Sequence, residues 1–412
     1  MLRPFCQIKI TQQPTAELQN RNAVFTFNFA NEIEVNSSWK NLTDTAKIKF
    51  PKNVFLKYAD GSKRKLSLKD RPQFINGRQS NTDNPFVLRG DKIEIQASYI
   101  YIDRNGKEIL PDPDVIFTGY VVKVVNKMPI ELVCEDNMYA LKQIFLDKMS
   151  WAAADISDVI TYILKGTNFS FTTGGATMTL GNFRIENQTP AEVLEYLRKT
   201  FHIESFFRGD VLHCSPFVYY PDTNNNPPHL LWFQKNIISD EMQYTRADDV
   251  KIGVKAYTIS KQELSTQTFD GRMKNKATRL EIFATKDNKG NVFYKDLTGG
   301  VQSGIDEGSF GSVVTLFYAD GNTLDGLKQF AKARLNRLYY EGFRGTFTTF
   351  GLPFIEHGDQ VQFQDNVLPE RNGTYFVKSV TRTFGMGGYR QKVEIDLRID
   401  GVLNQQDLKN GI

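Results

Sequence analysis

The sequence predicts a mainly β protein with an α+β insertion: two similar small antiparallel β-barrels and a middle α/β domain. Three observations carry this. Most of the chain alternates apolar and polar residues at period two. Three strand-like elements recur in the same order near both ends. Helix signals concentrate in the middle, with one more late in the chain.

The alternation is clearest in VEIDLRI, where Val393, Ile395, Leu397 and Ile399 share one face. GDKIEIQA repeats it with Ile93 and Ile95. One apolar and one polar face mark antiparallel strands with a single buried side. In TRTFGMGGYRQ, Gly385, Gly387 and Gly388 separate two such patterns and predict a hairpin.

The recurring elements are RGDKIEI, GYVVKVV and IELVCED in the first half, and HGDQVQF, GTYFVKSV and KVEIDL in the second. Gly90-Asp91 answers Gly358-Asp359, and Ile93 and Ile95 answer Val361 and Phe363. Tyr120, Val122, Lys123 and Val125 align with Tyr375, Val377, Lys378 and Val380. Ile130-Glu131-Leu132 aligns with Val393-Glu394-Ile395. Two β-meanders can share short patterns by chance, but a common order favours two copies of one barrel. Closure would remove the exposed sheet edges.

In GLPFIEHGDQVQF, the crowding of His357 and Asp359 invites a catalytic reading. The first copy has Arg89 in place of His357, and no second acid or nucleophile stands nearby. We therefore read Gly90, Asp91, Gly351, Pro353, Gly358 and Asp359 as structural turn residues. Gly tolerates positive φ, and Asp can hydrogen-bond the backbone two residues on.

Between the barrels, a helix is expected from Asp155, with Ile156, Val159, Ile160 and Ile163 inward and Gly166 as its stop. In TPAEVLEYLRKTF, Thr189 caps a second helix, Pro190 opens it and Glu192 closes a capping box. HIESFFRGDVLHCSPF reads as a hairpin turning at Arg208-Gly209-Asp210, and YYPDTNNNPP as a surface loop. Strand patterns resume with Val250, Ile252 and Val254. A third helix at about 323–340 carries the stripe Leu324, Leu327, Ala331, Leu335 and Leu338. The expected boundaries are 1–135 and 231–400 for the barrels, 136–230 for the middle domain, and 401–412 for a C-terminal tail. An inserted elaboration falls at about 262–322.

The 412 residues hold 51 Lys plus Arg against 47 Asp plus Glu, so a net charge of +4 gives no strong global pull toward nucleic acid or anionic membrane. The three cysteines, Cys6, Cys134 and Cys214, lack the spacing of a disulfide framework or zinc site. The four histidines are scattered, and His229 reads as structural or solvated. No phosphate loop, zinc-protease or nucleophile-elbow motif occurs, and no apolar run of membrane-spanning length. We expect no enzyme, no catalytic, cofactor-binding or metal-ligating residues, and no cofactor. A carbohydrate-binding or glycan-hydrolysing multi-barrel protein is the competing reading, because sequence alone cannot pair the plentiful carboxylates.

The ordered segments IFTGYVVKVV, TPAEVLEYLRKTFHIESFFRGDVLHCSPF, AKARLNRLYYEGFRGTFTTFGLPFIEHGDQV and GTYFVKSVTRTFGMGGYRQKVEID resemble the baseplate hub proteins of contractile-tailed bacteriophages. That group includes late control protein D and the N-terminal hub half of type VI secretion spike proteins. The matching positions are Gly351, Pro353, Gly358, Asp359, Tyr375 and Val377. The resemblance implies tail-tube-like barrels and a homotrimer around an axial channel that joins a sixfold tail tube to a threefold spike. It implies as partners the tail tube protein, other baseplate proteins and, since only GVLNQQDLKNGI follows, a separate spike protein. DNA would pass the channel without sequence-specific binding. The expected place is the virion tail baseplate, or a prophage or injection particle, assembled in the bacterial cytoplasm without membrane insertion.

Overall fold

A computed structural model describes residues 2–16, 18–51, 55–57, 63–65, 87–125, 129–174, 179–201, 203–215, 227–245, 252–267, 273–286, 291–298, 312–317, 324–338 and 342–398. Residues 219–226 of the expected loop, Val250, the ends of the third helix at Thr323 and Tyr340, and the 401–412 tail lie outside the described residues.

The chain begins with β1 (Leu2–Thr11), β2 (Val24–Phe27), β3 (Glu32–Ser38), β4 (Thr45–Lys49), β5 (Phe55–Lys57) and β6 (Lys63–Lys65). It continues with β7 (Lys92–Ile102), β8 (Glu108–Ile109), β9 (Asp114–Val125) and β10 (Glu131–Glu135). Next come α1 (Met138–Leu141), β11 (Met149–Asp155), α2 (Ile156–Ile163), β12 (Ser170–Thr172), β13 (Thr179–Ile185), α3 (Pro190–Phe201), β14 (Glu204–Arg208) and β15 (Val211–Ser215). Then follow β16 (His229–Trp232), β17 (Ile237–Thr245), β18 (Ile252–Gln267), β19 (Met273–Lys286), β20 (Val292–Asp296) and β21 (Ser312–Phe317). The last elements are α4 (Leu324–Leu338), β22 (Gly342–Phe350), β23 (Gln360–Gln364), β24 (Gly373–Gly385) and β25 (Gly388–Arg398).

Local chemistry explains the middle elements. The Thr189 amide donates to Glu192 Oε2 at 2.8 Å, and the Glu192 amide donates to Thr189 Oγ1 at 3.2 Å, so the capping box forms reciprocally. Val193, Leu194 and Leu197 on α3 and Val159, Ile160 and Ile163 on α2 bury into one cluster with Leu212 and Cys214 of β15. Gly209, with φ +55°, turns the β14–β15 hairpin. Gly388, with φ +87°, closes the β24–β25 hairpin.

One fourteen-stranded sheet runs β17-β22-β25-β24-β3-β4-β10-β9-β7-β1-β2, with β16 on β23, β23 on β24, and β8 on β7. It contains two strand sets of matching order: β3-β4-β10-β9-β7-β1 and β17-β22-β25-β24-β23-β16. They differ at the last strand, since β1 is antiparallel to β7 whereas β16 is parallel to β23.

The expectation of two closed barrels is not met: among the described residues neither set closes on itself. In the first set the edge strand β3 is occupied by β24. Its first residues, Gly373–Phe376, pair with β23, and Ser379–Gly385 pair with β3. The edge of the first set is therefore taken by the second.

A second difference concerns the expected elaboration. Ile252 and Val254 do not rejoin the large sheet. They open β18 of a separate four-stranded sheet, β20-β19-β18-β21. The stripe Leu327, Ala331 and Leu335 of α4 packs on Val254, Ala256, Ile282, Ala284 and Leu316 of that sheet. Tyr257 then donates its hydroxyl to the Thr200 carbonyl at the end of α3, at 3.3 Å. The apolar stripe was legible, but its partners on β18 and β19 lie far away in sequence. No helix among the described residues is long and apolar enough to cross a membrane.

Candidate assembly site

The Gly-Asp turn is built twice with the same bonds. Gly90 has φ +94° and Gly358 +86°, a left-handed conformation that glycine adopts without a Cβ penalty. The Gly90 amide donates to the Val121 carbonyl at 2.8 Å, and that of Gly358 to Val377 at 2.7 Å. In return the amides of Val121 and Val377 donate to the carbonyls of Asp91 and Asp359, both at 2.9 Å. Each Asp carboxylate reaches back three residues rather than forward two. Leu88 N donates to Asp91 Oδ2 and Glu356 N to Asp359 Oδ2, both at 2.7 Å.

The next irregularity is also shared. Val121 and Lys123 face Cys134 and Val133, while Val377 and Ser379 face Ile395 and Glu394. Val122 and Lys378 are the extra residues of equivalent bulges. These bonds correct the alignment made from sequence. Val121, not Val122, matches Val377, and Cys134, not Leu132, matches Ile395. The first slip is one residue, which would reverse inward and outward faces.

The two aspartates have different charged neighbours. Asp91 accepts from Arg21 at 2.6 Å, with both side chains essentially buried, and from the Gln13 amide at 2.9 Å. Burial pushes the Asp91 carboxyl up, against the pull of those amides and Arg21. Asp359 instead lies 3.3 Å from His229 Nε2, and both are partly exposed.

The residue before each turn grips the middle of the chain. Arg89 Nε donates to Tyr139 Oη at 3.3 Å. His357 lies edge-on to Phe206, with ring centroids 4.6 Å apart, and its carbonyl accepts from Arg208. His213 stacks on the same Phe206 at 5.1 Å. Burial, then the Arg208 charge, pushes the His213 imidazole down to about 4 and that of His357 well below its usual value. His357 is thus a neutral ring in an apolar stack, which suits packing rather than proton transfer.

Gly351 and Pro353 do not belong to either Gly-Asp turn. They form the loop that seals the junction between the strand sets. A Cβ on Gly351 would lie 1.9 Å from Tyr389 Cδ1, so glycine is required there by space. Tyr99 of the first set donates its hydroxyl to the Tyr389 carbonyl at 2.5 Å and accepts from the Gly351 amide at 3.2 Å. Buried Gln391 donates to the carbonyls of Pro353 at 2.7 Å and Phe350 at 3.1 Å, and accepts from the Ile355 amide at 3.2 Å. Arg382 donates to the Ile355 carbonyl and lies 4.4 Å over the Phe354 ring. Tyr389, together with Phe384, Leu352 and Phe354, joins the hydrophobic core of the first set. Across the β3–β24 seam, Thr381 Oγ1 donates to Asn36 Oδ1 at 2.8 Å.

Tyr99, Arg382, Tyr389 and Gln391 were invisible to sequence reasoning, because nothing local marks a contact between distant strands. One signal was available: Pro85-Phe86-Val87 stands before Gly90-Asp91 at the spacing of Pro353-Phe354-Ile355 before Gly358-Asp359. Among the described residues no three His, Cys, Asp or Glu side chains could hold a metal ion. Burial pushes the thiols of Cys6 and Cys214 up to about 12, which leaves them unreactive.

The arrangement resembles that of solved structures. The tail protein from Neisseria meningitidis MC58 superposes with a TM-score of 0.55 at 11% identity, over 98% of this chain and 99% of that one. The two chains share one fold. The 43 kDa tail protein of prophage MuSo2 from Shewanella oneidensis gives a TM-score of 0.50 at 12% identity, over 95% of this chain and 98% of that one. No protein-family model matches the sequence, and no curated protein matches it.

Proposed function

We propose that this chain is a structural baseplate hub of a phage tail or phage-like injection device. Three copies form a ring with an axial channel that joins the sixfold tail tube to the threefold spike. The observation that carries this reading is the doubled strand set, with the same turn, the same bulge and edge-to-edge fusion through β24 and β3. Two equivalent units per chain allow three chains to present six similar positions.

In this reading, residues 1–135 and 231–400 are tube-like units, and 136–230 is a unit clamped to both by Arg89 and His357. The partners are the tail tube protein, a separate spike protein and other baseplate proteins. DNA passes through the channel without sequence readout. The role is architectural rather than catalytic, and its place is the tail baseplate of a virion or injection particle. Light scattering of the purified chain tests the stoichiometry. A mass of three chains supports the hub, and a two- or four-chain assembly contradicts it.

A further inference from the structure

The two strand sets are fused on one side only. Matching Val377 to Val121 places Thr381 of β24 at Val125 of β9. Ala46 faces Cys134 as Gly345 faces Ile395, and Val35 faces Ala46 as Met242 faces Gly345. Asn36 of β3 therefore corresponds to Gln243 of β17. The seam formed within the chain by β24 and β3 has a second, unfilled version composed of β9 and β17.

Among the described residues both parts of that second seam are open. β17 is nine residues long and ends the sheet, pairing only with β22 among the described residues. Ile238 and Tyr244 on it are nearly half exposed. Lys123–Val125 of β9 pair with β10, and no described strand lies on their other side. The cores show the same asymmetry. The first set's core receives Tyr389 from the second, whereas among the described residues the second set's core contains none of the first. A long unpaired edge is a template for another strand, and proteins cover such edges.

We propose that a second copy of this chain covers it: β17 pairs antiparallel with Lys123–Val125 of β9 in the neighbouring copy. The register repeats the internal seam. Gln243 lies opposite Val125, as Asn36 lies opposite Thr381, and Thr245 lies opposite Lys123, as Ser38 lies opposite Ser379. This rests on the hub reading and specifies which surfaces close its ring.

Cysteine pairing tests it, since the native thiols are buried. Chains carrying Val125→Cys and chains carrying Gln243→Cys are mixed under a mild oxidant. The contact predicts a disulfide-linked pair of chains, formed at least about tenfold faster than in either variant alone, because proximity raises local thiol concentration to about millimolar. The double variant should link up to three chains. Thr381→Cys with Asn36→Cys is the internal control and should close within one chain. Lys123→Cys with Thr245→Cys reads the same contact if the first pair folds poorly. A three-chain mass without cross-links, while the control closes, overturns the edge pairing and leaves the hub standing. A single-chain mass without cross-links at every concentration overturns both.

Discussion

Replacing Gly351 with alanine should loosen the seam between the strand sets. The new Cβ would sit 1.9 Å from Cδ1 and 2.1 Å from Cε1 of Tyr389, where ordinary carbon contacts are about 3.5–4.0 Å. The ring cannot swing into solvent, because Tyr389 is fully buried in the first set's core. Overpacking of this kind costs about 1–3 kcal/mol, and displacing the Tyr99 hydrogen bonds adds about 1 kcal/mol. The sum, about 2–4 kcal/mol, is local. Hydrogen exchange of the amides in Ser379–Gly385 and Glu32–Ser38 reads it directly, and should accelerate by roughly 30- to 1,000-fold. Adding Tyr389→Leu removes the clashing ring, so the double variant should lose less than the sum of the single effects. Exchange within about threefold of the parent, or strict additivity, would refute the packing argument.

The twin turns should respond differently to loss of their cationic neighbours. Arg21→Met strands the buried Asp91 carboxylate and should cost about 3–5 kcal/mol, whereas His229→Ala, beside the partly exposed Asp359, should cost under about 1 kcal/mol; urea unfolding of both variants compares them. Burial raises the Glu204 carboxyl from 4.5 to about 7. The fold therefore favours its protonated form, and this contribution, about 3 kcal/mol, is complete below pH 4.5 and lost as pH rises through 7. Glu204→Gln should then raise the melting temperature more at pH 8 than at pH 5, and an equal shift at both would contradict the assignment. Thr189→Ala removes the α3 cap and should cost about 1 kcal/mol in the same urea measurement, with no change meaning that the cap is redundant.

Sequence disclosed what depends on neighbours in the chain. The Thr189 cap, the α2 and α3 stripes, the Gly209 hairpin and the alternating faces of β7 and β25 all follow from local spacing. The doubling was legible too, through Gly90-Asp91 and Gly358-Asp359. Its register was not, because a bulge shifts strands by one residue without a mark in the apolar pattern. The junction was hidden for a related reason. Gly351 looked like a turn residue, and only the Tyr389 ring, 38 positions away by sequence number, explains it. The partner of the α4 stripe was likewise beyond reach, since β18 and β19 meet it only in three dimensions.

Electron microscopy of the purified assembly tests the central claim most directly. Averages viewed down the axis should show three chains forming a ring of six similar lobes around an open centre. A ring with another number of lobes, or three chains whose two strand sets sit at different radii, would contradict it.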